Sequence, residues 1–288
     1  MKRLCVTGSL HLDVVVNAPH LPRLDETLTG EKVTYIFGGK GGNQALAADR
    51  HGASVYFIGR IGNDAFGQTL IETLENSSID ITQIQRDNGA SGMSVAIVNK
   101  EGDYGAVIVS AANLRIDKES FSISKDTEIL LLQNEIPEHV NISASQKAKE
   151  HGCQVWLNAA PARKMSSELL SKIDVLIMNR IEAEFYESNL LSEKASHITR
   201  ILTLGSKGVQ IQCPGEELKR YPAYPVNPHS THGAGDTFVG SLAAGRLAGK
   251  SFESALNYAQ AAAALYVSTP LKKRSNLSPE EVLKFMQN

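Results

Sequence analysis

Six short apolar runs, at residues 4–7, 55–58, 129–132, 155–157, 175–178 and 201–204, constrain the fold more than any other feature of this chain. They are bounded by Gly, Asn or Pro and carry almost no polar residue, the pattern of strands buried on both faces of a parallel sheet. Between them lie helix-like segments at 44–50, 66–75, 142–151 and 165–172. Strand and helix in alternation predict an α/β fold, a doubly wound and mainly parallel sheet flanked by helices, with ligands at the carboxyl ends of the strands. A chain of 288 residues can bury one large core. It has no long linker, internal repeat or low-complexity tract, so residues 1–288 read as a single domain.

Two regions depart from the alternation. Residues 13–37 and 91–109 are rich in Val, Ile and Thr without intervening helices, and predict antiparallel strands outside the main sheet. Read alone, they could equally extend the central sheet. A net charge of −2 points to neither a nucleic-acid footprint nor a basic membrane face. Three scattered cysteines, Cys5, Cys153 and Cys213, have no metal-ligand spacing and no even count for a disulfide framework, which fits a cytoplasmic protein. Lys2 and Arg3 precede an apolar patch, but Thr7, Gly8, Ser9, His11 and Asp13 interrupt it before a targeting or spanning segment is complete.

The chemistry concentrates at Thr231-His232-Gly233-Ala234-Gly235-Asp236-Thr237-Phe238, where a small-residue turn leads into an apolar helix carrying Phe238, Val239, Leu242 and Leu247. Backbone N–H groups converging at such a turn, with the helix dipole behind them, would hold an anion. Asp236 would then be placed to take a proton from a hydroxyl attacking a phosphoryl group. The plainer reading is that Asp236 caps the helix. A second glycine-rich turn, Phe37-Gly38-Gly39-Lys40-Gly41-Gly42-Asn43-Gln44-Ala45, precedes an alanine-rich helix. Residues 245–251 imitate a P-loop, but with one residue too few between the glycines and with a helix rather than a strand before them.

These two motifs resemble the two signatures of the ribokinase-like (PfkB-type) carbohydrate kinases. The resemblance extends through Val6-Thr7-Gly8-Ser9 with Asp13, and through the blocks at 59–67, 158–163, 179–184 and 203–208, in the family's order from one end of the chain to the other. It implies a ribokinase-like fold whose small β lid, about 13–37 and 91–109, covers the sugar site and can join two copies into a homodimer. It implies ATP and magnesium as cofactors and a small sugar as acceptor, with no nucleic-acid or membrane partner. Asp236 would be the catalytic base, with Gly233, Ala234 and Gly235 as the anion hole. Asp13, His11, Gly39, Lys40, Asn43 and Glu135 fall at the sugar-contacting positions. Asn179, Thr203, Gly205, Gly208 and Asn257, with Gln260 beside it, fall on the nucleotide side, and Glu182 at the magnesium position.

The chain also departs from the family. His11 stands where ribokinases commonly carry an asparagine, and Ser230 where they commonly carry an aspartate that ligates a monovalent cation. Thr269-Pro270-Leu271-Lys272 replaces a loop that usually contains glycine, so monovalent-cation activation does not carry over, and the Lys272 ammonium is one candidate for the vacated position. Together the residues predict an ATP-dependent kinase acting on a primary hydroxyl, with ribose or a related pentose leading. A nucleoside kinase would need room and groups to stack a base, and the lid shows no aromatic cluster beyond Tyr35, Phe37 and Tyr104. A binding regulator on the same fold would need no base at position 236.

Overall fold

The apolar runs become the centre of one sheet. The computed structural model describes residues 2–101, 103–190 and 195–287. Its elements in chain order are β1 (Arg3–Thr7), β2 (His11–Asn17), β3 (Lys32–Gly38), α1 (Lys40–Arg50), β4 (Val55–Gly62), α2 (Ala65–Glu75), β5 (Asp80–Asp87), β6 (Gly92–Val98) and β7 (Tyr104–Val109). They continue with β8 (Thr127–Gln133), α3 (Glu138–Lys149), β9 (Gln154–Asn158), α4 (Ser167–Leu170), β10 (Val175–Asn179), α5 (Arg180–Leu190) and β11 (Thr199–Thr203). The last are β12 (Val209–Gln212), β13 (Lys219–Tyr221), α6 (Ala234–Leu247), α7 (Phe252–Ser268) and α8 (Pro279–Gln287).

The main sheet has nine strands in the order β13-β12-β11-β10-β9-β8-β1-β4-β5. From β11 to β5 every neighbouring pair is parallel, while β12 and β13 extend the edge in antiparallel pairing. Alternate side chains enter two cores. Leu4 and Val6 pack with Ala45, Leu242 and Leu256 on one face, whereas Cys5 packs with Val140, Ala144 and Leu169 on the other. Leu130, Leu131 and Leu132 are all fully buried, as a strand covered on both faces requires.

Helix α6 crosses α1 at very short range. A Cβ added at Gly240 would lie 2.5 Å from the Gln44 carbonyl oxygen and 2.6 Å from the Ala47 Cβ. This contact, one turn beyond Asp236, presses the start of α6 against the start of α1.

The lid is a separate four-stranded sheet, β3-β2-β6-β7. Its outer pairs are antiparallel, but β2 and β6 at its centre run parallel, because both leave the main sheet in the same direction. Wholly antiparallel pairing, as expected from the sequence, is therefore corrected at this pair; residue 102 of the second lid segment lies outside the described residues. The register sets His11 beside both Gly38 and Gly92, and Asp13 beside Ile36 and Ser94.

Candidate active site

The carboxyl ends of the parallel strands and the first turns of α1 and α6 meet at one place. Helix α6 starts at Ala234 after Gly233, whose φ of +79° is the left-handed conformation that glycine tolerates best. Asp236 lies in that first turn and does not cap it, since no side chain caps α6. Its carboxylate instead reaches α1, accepting from Gln44 Nε2 at 2.9 Å and from Asn43 Nδ2 at 3.5 Å. Gln44 is fully buried, and its Oε1 accepts from Gln133 Nε2 at 2.8 Å. With its oxygen occupied, Gln44 must turn its NH2 toward Asp236.

A carboxylate at a helix start is expected to keep a low pKa, but the structure reverses this for Asp236. Burial raises its carboxyl above the usual 3.8, with Glu135 adding to the rise; the Lys40 charge and the Gln44 and Asn43 donors act against it. Desolvation outweighs them because the charge is enclosed between two helix ends. The amides ahead of it are unevenly available: the Ala234 N–H donates to Thr231 O at 3.2 Å, while Gly235 is exposed.

Two cavities adjoin this point. The smaller, about 110 Å³, is lined by Lys40, Asn158, Asn179, Glu182 and Asp236. The larger, about 950 Å³, is lined by Gly205, Gly208, Phe238 and Gln260 among others, and Thr203 and Gly235 border both. Gly205 and Gly208 have positive φ, and a Cβ at Gly208 would lie 2.0 Å from the Tyr221 carbonyl oxygen, so the wall at that turn requires glycine. Asn257 does not line the larger cavity. Gln260 does, and both polar atoms of its buried amide lack a hydrogen-bond partner.

Asn179 and Glu182 form a reciprocal cap on α5. Glu182 accepts from the Asn179 N–H at 2.7 Å and from Asn179 Nδ2 at 2.9 Å, and its own N–H donates to Asn179 Oδ1 at 2.9 Å. Both carboxylate oxygens of Glu182 are thus engaged while the residue borders the smaller cavity.

The other side of the site joins lid to body. Lys40 is the first residue of α1 rather than part of a loop, and its N–H donates to Glu135 at 2.8 Å. Glu135 also accepts a short bond from Ser9 Oγ, so it pins the start of α1 to the exit of β1. Gly39 has φ +87°, and a Cβ there would lie 2.7 Å from the Ser9 carbonyl oxygen. Asp13 accepts from Ser94 Oγ at 2.6 Å, and a Cβ at Gly38 would lie 2.4 Å from its carboxylate. His11 is buried and its Nε2 lacks a partner. Burial lowers its pKa below 6.5, against the pull of Glu135 and Asp13.

Sequence reasoning missed Ser9, Gln44, Ser94, Gln133 and Asn158. Gln44, Ser9 and Asn158 lie within the glycine-rich block, the block ending at Ser9 and the block at 158–163, a placement that could have singled them out; Ser94 and Gln133 carry no local signal and acquire their places through packing.

A doubly wound sheet with a small β sheet beside it, and a partly buried carboxylate at a glycine-led helix start, are the combination that the sequence resemblance implies. The chain matches the pfkB family of carbohydrate kinases over residues 1–277 and belongs to that family. Among its relatives, the ribokinase of Haemophilus influenzae is 34% identical, the match covering 100% of this chain and 99% of that one. The ribokinase of Bacillus subtilis is 32% identical over 93% of each. Among solved structures, Thermotoga maritima ribokinase superposes with a TM-score of 0.88 at 31% identity. Arabidopsis thaliana ribokinase complexed with ribose and ATP superposes with 0.90 at 28%, and both structures are covered over 100% of each chain.

Proposed function

We propose that this carbohydrate kinase transfers the terminal phosphoryl group of ATP to a primary hydroxyl of a small sugar, with ribose or a closely related pentose as the preferred acceptor. The observation that carries the reading is the Asp236 carboxylate, raised in basicity by burial and aimed by Gln44 and Asn43 at the meeting point of the two cavities. The names of the relatives, and the ribose and ATP bound to the Arabidopsis enzyme, supply the substrate pair.

In this reading the larger cavity takes the nucleotide, with Thr203, Gly205 and Gly208 against its phosphate and ribose end. Gln260, rather than Asn257, offers its unpaired amide to the adenine edge. Asp13, His11, Gly39, Lys40, Asn43 and Glu135 surround the sugar; Glu135 acts chiefly by holding Lys40 and Ser9 in place. Asp236 accepts the hydroxyl proton, and its raised pKa makes it a stronger base than an exposed carboxylate would be. The Gly235 amide and the Lys40 ammonium face the charge that develops on the transferred group.

Magnesium binds ATP phosphates with few protein ligands and keeps most of its waters. The small cavity offers that ion the carboxylates of Glu182 and Asp236 beside the place assigned to the phosphates. Glu182, whose oxygens are held by Asn179, would meet the ion through water. When bound, the ion neutralises phosphate charge.

The chain acts as one domain whose lid is an appendage of the body. Val33, Tyr35, Val95 and Val107 lie exposed on one face of the lid, and a second copy of the chain is the natural cover for them. The three free cysteines suit the cytoplasm; among the described residues no helix is long and apolar enough to cross a membrane.

The test is a panel of pentoses, hexoses, ketoses and nucleosides with coupled detection of ADP, followed by location of the phosphate in the product. A pentose phosphorylated at its primary hydroxyl is the expected leader. Turnover confined to nucleosides would replace the sugar with a nucleoside as substrate.

A further inference from the structure

We infer that Arg274 is a built-in cation that fixes the turn leading into α6, so that this enzyme needs no dissolved monovalent ion there. Arg274 sits in the 3-10 helix Leu271–Asn276, and only 3% of its surface is exposed. Its Nε donates to the Thr269 carbonyl at 2.9 Å and its Nη1 to the His232 carbonyl at 3.1 Å. Its Nη2 donates to the carbonyls of Ser230 at 2.8 Å and Val267 at 3.2 Å. The guanidinium also lies over the Tyr266 ring, 4.7 Å from its centroid. Two of these carbonyls belong to the turn before α6 and two to the end of α7.

Carbonyl oxygens that converge repel one another unless a cation lies among them. Here the cation is a side chain, and all four acceptors are main-chain oxygens. Among the ion pairs of the described residues none includes Arg274, so these oxygens carry the task of compensating its buried charge. A potassium ion bound at this point would need the same oxygens, which the guanidinium already occupies. Lys272, the candidate suggested by the sequence, is exposed, and Arg274 takes its place. Holding the Ser230 and His232 carbonyls orients the peptides that follow, including Gly233 at φ +79° and the open Gly235. Arg274 is therefore a positioning residue for the anion-binding turn, an inference that rests on the proposed role of that turn.

The test compares wild type in potassium, sodium and tetramethylammonium chlorides at matched ionic strength, reading both kcat and Tm. Both should agree across the salts, kcat to within about 2-fold; saturable stimulation or stabilisation by potassium overturns the inference. Arg274→Ala should lose about 100-fold in kcat with a sugar KM changed by less than about 3-fold, since a displaced turn spoils alignment more than binding. Millimolar guanidinium or potassium should restore about 10-fold of that loss and raise the variant's Tm while leaving wild type unchanged. Unimpaired turnover in Arg274→Ala, or a loss that neither cation relieves in the folded variant, would overturn it. If Arg274→Ala does not fold, the neutral Arg274→Gln takes its place with the same outcomes, and Lys272→Ala should behave as wild type. Failure of the kinase reading would show separately, as absence of transfer to any sugar, because the Tm comparison does not depend on turnover.

Discussion

At the scale of the residue, the site turns on a carboxylate kept in an uncomfortable place. Asp236 is more basic than usual because its ionised form is poorly solvated, and that form must therefore cost the fold stability. The folded-state pKa lies above the unfolded one, so the folded protein binds the proton more tightly. The favourable contribution is complete below about pH 3.8 and is lost as the pH rises through the raised folded value. Asp236→Asn should accordingly raise Tm at neutral pH while lowering kcat by about 100-fold or more, as removal of a general base does. The acid limb of wild-type kcat/KM should fall above the ordinary carboxylate range. Near-normal turnover in the folded variant would remove Asp236 from the base role. The identity and approximate place of this residue are legible in Gly233-Ala234-Gly235-Asp236. The direction of its pKa is not, because it depends on enclosure by Lys40, Asn43 and Gln44, nearly 200 positions away.

At the scale of the element, the central strands could be read from their apolar runs, and the edges could not. β5, with the sequence Asp-Ile-Thr-Gln-Ile-Gln-Arg-Asp, is half-polar because it closes the sheet, and it lacks the continuous apolar run that marks β8. Helix α1 begins at Lys40 instead of the expected 44, since Gly41 and Gly42 are helical despite their low propensity. A Cβ at Gly41 would lie 2.7 Å from the Gly8 backbone, so close approach to β1 demands glycine there. The reciprocal cap on α5 separates two roles of one side chain. Glutamine can replace glutamate in such a cap but loses the acceptor for Asn179 Nδ2, so Glu182→Gln should lower Tm only slightly. The magnesium concentration for half-maximal activity should rise several-fold, because a charge beside a hard cation is lost. A large fall in Tm with an unaltered magnesium curve would reduce Glu182 to a cap alone.

At the scale of the whole molecule, the body is covered by its own helices while the lid is only partly covered. Val107 is 67% exposed and Tyr35 57%, in one row across the lid with Val14 and Val95. An apolar strip of this kind marks an interaction surface. The wild-type protein should sediment as a dimer at micromolar concentration, and Val107→Asp should shift it to a monomer with a higher sugar KM. A wild type that remains monomeric under those conditions would refute pairing through the lid.

The lid leaves the body in two excursions, β2 with β3 and then β6 with β7, and the nine-stranded sheet closes its ranks without either of them. β1 still pairs with β4 and β8, and β5 still pairs with β4. The small sheet is thus an insertion on which the pairing of the main sheet does not depend. Its outer strands could be lengthened or exchanged with every pairing of the nine-stranded sheet left as it is.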